Sequence, residues 1–504
     1  VAINPQNIMK TSFKPLYKFL FVSLAVVGCT SDFDEMNTNP NEPERVPTAY
    51  LLTQAQRSTR AEQQLFGTNL YAQLFAETQY TGTSRYDLEQ LSFDTYYNGP
   101  LADLQEIIDM NTNPETKDLA EVVNYGSHEN QLAVARILKA YLIQLITDQW
   151  GDVPYTDALK GTADFAPAYT PQSEIYADLV KELKEATAQI EVTGEIQGDV
   201  IYGGDMGLWK KFGYSLLLRV GIRMSEVPEV ENLALDAINT ALADPDNVFQ
   251  RNEESAVFKY LGEAINSNPI YYHFHVDNRT DYAISNTLVD FMLAQDDPRL
   301  AVYANPTETS VAAGAPEYVG ELYGVTDDIA GETENADVSF IGDYWKENAS
   351  APLIFQSYSE VLFIKAELAA RGWAGLSESQ AAGFYNAAIA ASMNYYGITD
   401  TDVIDDFISQ SGVAYDQANW RQLIGEQKWL SLYAVGHEPW SEWRRLGYPL
   451  LERAPNATED REIPLRRTYD TREFTLNRSH VDEAVARQTN GGTLAMSTPV
   501  WWDR

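Results

Sequence analysis

The segment 134–150, VARILKAYLIQLITDQW, constrains the fold more than any other stretch of this chain. Apolar side chains fall at 134, 137, 138, 141, 142, 145 and 146, a three-four spacing that winds onto one face of an α-helix and must be buried against a neighbour. The same logic recurs further on. Thr170-Pro171 reads as an N-cap followed by proline in the first turn, opening a helix that runs through Ile175, Leu179, Leu183 and Ile190. Another helix is expected over about 206–224. The helix in YSEVLFIKAELAARGW ends near Gly372, and its successor starts at Ser377, three residues before Gln380, the spacing of a capping box. Small or aromatic residues at 381, 385, 388, 392 and 396, with Ile389 among them, then let two antiparallel helices approach closely. The expectation is an all-α chain built from helical pairs, with few short strands.

Two stretches break the pattern. Asn, Asp, Pro, Gly and Tyr dominate residues 244–352, where NSNPIYYHFHVDNRTDY and GDYWKENASAPL stand out, and residues 455–504 are similarly irregular. Both read as long loops with short strands or helices, and ordered loops on a helical scaffold are where binding surfaces tend to sit. Disorder is excluded as a default, because a composition 44% hydrophobic and 12% aromatic, with 30 Tyr and 10 Trp, offers enough apolar surface to offset chain entropy. The 36 basic and 73 acidic side chains give a formal charge of -37, which repels phosphate backbones and argues against nucleic acid as a partner.

The single cysteine cannot form an internal disulfide or a cysteine-based zinc site. It sits at position 29, just after the apolar run Phe19–Val27 and small Gly28, with Lys10, Lys14 and Lys18 ahead. Reading from Met9, residues 9–28 have the layout of a secretory signal whose apolar run is well short of the roughly 20 residues a membrane span needs. The sequence VVGC resembles the bacterial lipobox, in which the cysteine becomes the first mature residue and carries the lipid. Acyl chains contribute about 0.8 kcal/mol per buried CH2, so several of them on Cys29 anchor a protein stably. Residues 29–48, rich in acidic residues, Asn and Pro, form the expected tether, and acidic residues directly after a lipidated cysteine resemble the surface-export signal of Bacteroidetes lipoproteins. The folded domain is expected over 49–504, with loop-rich insertions at about 244–352 and 455–504.

Local catalytic signatures are missing: G-x-x-x-x-G-K-[ST], G-x-S-x-G and H-E-x-x-H do not occur. Of the five histidines only His273 and His275 lie close together. An H-x-H pair on a strand puts both rings on one face and suits a metal, but no third ligand is suggested and ordinary packing is preferred, so neither metal nor cofactor is expected. Two carboxylates suffice for glycoside hydrolysis, so a surface glycosidase on a helical scaffold stays open as an alternative.

Aromatic residues are the more useful clue, since the apolar faces of sugar rings stack on Tyr and Trp while Asn, Asp and Arg bond the hydroxyls. Three loop clusters mix these types: Tyr96, Tyr97 and Asn98; Tyr271, Tyr272, Asn278 and Arg279; and Tyr344 with Trp345. Tyr395, Tyr396, Trp429 and Tyr433, at helical spacing, are expected in the core.

Several colinear stretches resemble the SusD/RagB family of Bacteroidetes outer-membrane lipoproteins, in its SusD-like branch: CTSDFDEMNTNPNEP after the lipobox, TDQWGDVPYTDAL at 147–159, NRTDYAISNTLVDFMLAQDDPRL at 278–300, EQKWLSLYAVGHEPWSEWRRLGYP at 426–449, and the terminal TPVWWD. In WGDVPYTDAL, Gly151 and Pro154 stop a helix, which reads as a structural corner. The resemblance implies tetratricopeptide-like helical pairs supporting a loop-rich ligand-binding half. It also implies capture of an oligosaccharide, or in some members a peptide, without chemical change. The expected partner is a SusC-like TonB-dependent transporter, over which the lipoprotein acts as a lid at the outer membrane, facing the exterior. A scaffold lipoprotein that merely holds a transporter complex together is the third alternative.

Overall fold

The structure is a computed structural model describing residues 45–503 except 60–61, 89–90, 162–164 and 264, with backbone alone for 62–65. The expected signal peptide, Cys29 and most of the tether lie outside the described residues. Helices of eight residues or more are numbered here in chain order: α1 (Thr48–Ser58), α2 (Glu62–Tyr71), α3 (Pro100–Thr112), α4 (His128–Trp150), α5 (Gln172–Gln189), α6 (Met206–Arg223), α7 (Glu231–Ala241), α8 (Asn286–Ala294), α9 (Tyr358–Ala370), α10 (Glu378–Tyr395), α11 (Thr401–Ile408), α12 (Trp420–Ser431), α13 (Glu438–Leu446) and α14 (Arg478–Thr489). Among the described residues, six short strands form three antiparallel ladders: β1 (Phe75–Glu77) with β5 (Tyr282–Ile284), β2 (Val153–Pro154) with β3 (Tyr169–Thr170), and β4 (Ala256–Phe258) with β6 (Leu353–Gln356).

The first helical block is a succession of neighbours in which α3 packs on α1 and α4, α4 on α5, α5 on α6, and α6 on α7. Helix α4 starts where the Ser127 hydroxyl accepts from the Asn130 N–H at 3.3 Å and stops at Gly151, whose φ of +76° ends the helical backbone. It is not buried on one face alone, as its periodicity suggests. Gln144, Asp148 and Gln149 are buried too: Arg467 donates to Gln149, and Trp502 and Tyr176 of α5 donate to Asp148. The corner after α4 is structural, as expected: the Thr147 hydroxyl donates to the Gly151 carbonyl at 2.6 Å, and a Cβ on Gly151 would stand 2.1 Å from Gln488 Oε1. Thr170, expected to cap α5, instead pairs with Val153 in the β2–β3 ladder. The α5 N-terminus is capped from a distance by Asp152 Oδ1, which accepts from the Gln172 N–H at 2.9 Å.

The α9–α10 pair is a helical hairpin with both halves of the Ser377–Gln380 capping box formed. Tyr385, Ala388 and Ile389 are buried in it, and Phe363 meets the Tyr385 ring at 6.2 Å. Residues 455–504 are less irregular than their composition suggests, since they contain the 12-residue α14.

A buried ionic network ties the blocks together. Arg219 holds Glu360 through two bonds of 2.7 and 2.6 Å, Arg223 reaches Asp148 at 3.2 Å and also bonds Glu438, and Arg445 bridges Glu367 at 2.6 Å and Glu442 at 2.7 Å. Lys428 completes it at 2.5 Å from Glu442. These side chains are at most 2% exposed. Much of the EQKWLSLYAVGHEPWSEWRRLGYP stretch is thus spent on the core, and TPVWWD docks on the same centre, the Trp502 indole donating to Asp148 at 2.8 Å under the Arg444 guanidinium. Removing one partner of such a buried pair leaves an uncompensated charge and is costly.

Candidate functional site

Beside the helical blocks lies a second core cluster that is rich in aromatic residues, and it supports the loops. Tyr303 stacks on Tyr433 with centroids 4.3 Å apart, and Trp345 wedges between Tyr433 at 4.9 Å and Tyr396 at 5.4 Å. The Tyr303 hydroxyl donates to the Leu430 carbonyl at 3.0 Å. Trp345 is 4% exposed, so the Tyr344–Trp345 pair serves the core rather than a ligand surface, with Tyr344 half-buried above it. Tyr396, Trp429 and Tyr433 are buried in this cluster and Tyr395 packs against it. Tyr96 is buried as well, within the helical core. An aromatic in a polar loop and one that anchors the loop from beneath look alike in sequence.

The β1–β5 ladder builds a cleft. It sets Phe75 opposite Ile284 and Glu77 opposite Tyr282, and so carries Tyr282 alongside α2, where its ring stacks on Phe66 with centroids 4.2 Å apart and planes 11° off parallel. Around this pair opens a cavity of about 370 Å³, lined by Phe66, Gly67 and Leu70 of α2, by Thr83 and Leu91, and by Pro269, Tyr272, His273, Asp277, Arg279, Asp281 and Tyr282. The turn Tyr272–Val276 is a wide helical turn, not a strand, so His273 and His275 do not share a face. His273 is buried between Phe66 and Tyr282, and burial lowers its pKa, keeping the ring neutral. His275 packs on Tyr271 at 4.7 Å and lies 3.0 Å from Glu347. Among the described residues no group of three His, Cys, Asp or Glu is placed to hold a metal ion.

The polar rim is held under strain. The Arg279 Nε donates to Asp281 Oδ2 at 2.5 Å, the Gln79 amide donates to Asp281 Oδ1, and the Arg279 guanidinium lies 5.7 Å from the centre of the Tyr80 ring. Tyr80, 67% exposed, has a φ of +57° and Asn278 a φ of +52°. A tyrosine in the left-handed region costs backbone energy that its surroundings must offset, and such residues gather at functional sites. The Thr81 N–H, donating to Asp327 Oδ1 at 2.7 Å, pins the strained turn.

Tyr272 and Arg279 therefore line one cleft, while Tyr271 and Asn278 flank it. Tyr97 and Asn98 line a different cleft, against the α4 corner. Sequence reasoning missed Phe66, Tyr80 and Tyr282. Tyr282 stands inside the NRTDYAIS stretch, and Tyr80 in the Thr- and Gly-rich turn TQYTGT, the one local signal that an aromatic there is presented rather than packed.

Residues 40–470 match the SusD-like family model described as starch-binding and associating with the outer membrane. No curated protein sequence matches the chain. Among solved structures, a chitin-binding protein shares 26% identity at a TM-score of 0.76, with 91% of this chain and 100% of that chain covered. A SusD homologue from Bacteroides fragilis superposes at 0.77 with 21% identity, covering 91% and 100%. A chitin-binding SusD homologue from Flavobacterium johnsoniae superposes at 0.73 with 22% identity, covering 91% and 98%. A sequence match over most of the chain and a fold shared along nearly its whole length make this protein a member of the SusD-like family.

Proposed function

We propose that this protein is a non-catalytic surface lipoprotein that captures an oligosaccharide in the Phe66–Tyr282 cleft and passes it to a SusC-like TonB-dependent transporter, anchored at the outer membrane through a lipid on Cys29. The observation that carries the reading is the cleft itself. Tyr272 and Tyr282 give its lining aromatic surface for the apolar side of a sugar, and Arg279, Asp277 and Thr83 stand beside them for its hydroxyls. A binding role is supported over hydrolysis by the state of Asp281, a carboxylate of the cleft that is 5% exposed and bonded to both Arg279 and Gln79. With Asp281 so committed, Asp277 is left as the other carboxylate of the lining, one where glycoside hydrolysis uses a pair. The names of two similar structures make chitin fragments the first ligands to try.

Isothermal titration with chito-oligosaccharides and malto-oligosaccharides tests this. Tyr272→Ala and Arg279→Ala are each expected to weaken binding about tenfold, the loss of roughly 1.4 kcal/mol of contact. Oligosaccharide recovered uncut after long incubation supports a carrier, and shortened products refute it. Wild-type affinity in both variants would remove this cleft as the site. Co-purification of a barrel transporter with the membrane-anchored protein tests the partner, and mass spectrometry of the mature N-terminus tests the anchor.

A further inference from the structure

The cleft around Phe66 and Tyr282 is smaller than its neighbour. A second cleft of about 710 Å³ opens between the Asp94–Tyr97 turn, the outer side of α3, the corner after α4 and the Glu473–Leu476 turn. At its edges Phe165 is 83% and Leu476 74% exposed, two large apolar side chains facing water across one cavity. Tyr97 forms part of its wall with the hydroxyl fixed on the Pro154 carbonyl, so the ring is held in place. Asn98 and Glu106 are exposed along the same wall. Rigid rings interspersed with amide and carboxylate groups are the chemistry of a surface that takes a polyhydroxylated chain.

The linings of the two clefts come within two positions of each other along the chain. Leu91 lines the first and Phe93 the second, so their Cα atoms are at most about 7 Å apart. Leu91 also packs against the helical core that Phe93 and Tyr97 belong to, which makes the strip between the clefts a supported surface rather than a free loop. We infer that the second cleft continues the first: one glycan chain, held at one end by Tyr272, Tyr282 and Arg279, crosses the Leu91–Phe93 strip and rests its further units on Tyr97 and Phe165. This inference rests on the proposed glycan site. The ligand it selects is a long, neutral chain, because Glu106 and Asp109 are exposed along the second cleft and the whole protein carries -37, a field that opposes polyuronates and sulfated chains. Each added contact on a chain already held acts at high effective concentration, so affinity rises with length.

The test compares chitobiose with chitohexaose by titration calorimetry on the wild-type protein, on Tyr272→Ala and on the double variant Asn98→Ala/Phe165→Ala, whose side chains are both exposed and can be truncated without opening the core. The expected result is a hexamer bound at least tenfold tighter than the dimer by wild type, with that gain lost in the double variant, while Tyr272→Ala weakens both lengths. A length gain that survives in the double variant, or equal affinity for both lengths in wild type, overturns the continuation and leaves the first site standing. Failure of wild type to bind either length overturns the first site and the continuation together. Tighter binding of a hexameric polyuronate than of chitohexaose overturns the neutral-chain assignment.

Discussion

Replacing Arg219 with methionine tests the idea that the helical blocks are locked by buried charge. Arg219 is 1% exposed; it makes two bonds to Glu360, itself fully buried, and a third, at 2.8 Å, to the Phe355 carbonyl of β6. Burial alone would lower the guanidinium pKa, but Glu360 and Glu438 hold it above the ordinary arginine value. In Arg219→Met the thioether fills much of the volume, yet Glu360 keeps a single side-chain donor, the Gln356 amide at 3.2 Å. Removing one partner of a buried pair costs about 3–5 kcal/mol. The variant should lose that amount. Urea unfolding followed by tryptophan fluorescence measures this, with Arg219→Met/Glu360→Met as the companion that removes both charges and should unfold near the wild-type midpoint. A loss below about 1 kcal/mol in the single variant would refute the argument that this pair is desolvated.

Other perturbations probe the loop-rich half. Glu321 is 2% exposed, and burial pushes its pKa up to about 7 against the Leu322 N–H that bonds it. A raised carboxyl pKa makes the native state lose stability as pH climbs from about 4.5 to about 7. Glu321→Gln should then gain up to about 3 kcal/mol over wild type at pH 8 and nothing at pH 4, read from thermal midpoints at each pH. At Gly342 a Cβ would stand 1.9 Å from the Val302 carbonyl oxygen, so Gly342→Ala must move backbone and should cost about 3 kcal/mol in urea unfolding; an unchanged midpoint contradicts the close approach. Tyr303→Phe keeps the stacked ring and deletes the bond to the Leu430 carbonyl, with an expected loss of about 1–2 kcal/mol. Ser377→Ala breaks the capping box at the start of α10 and should lower stability by about 1 kcal/mol.

What the sequence by itself determined is what depends on neighbours within a few residues. The three-four spacing of α4, the Ser377–Gln380 capping box and the glycine that ends α4 are local signals, and each helix stands where its signal puts it. The family stretches were legible too, but they turn out to be largely core: Lys428, Glu438, Glu442 and Arg445 are spent on buried ion pairs, and Trp502 on Asp148. Tertiary structure decided the rest. Asp152, not Thr170, caps α5, because a corner brought back by the chain supplies a better placed acceptor than the residue next door. Trp345 went to the core and Tyr272 to the cleft, although both sit in polar, tyrosine-bearing loops, because the Tyr303–Tyr396–Tyr433 cage encloses one of them and no cage encloses the other. The candidate site needs Phe66 and Tyr80 to meet Tyr282 and Arg279 across about 200 residues of chain, and the β1–β5 ladder that joins them is a pairing no local pattern encodes. Helices follow from hydrogen bonds four residues apart, whereas a binding cleft follows from which distant segments the core brings together.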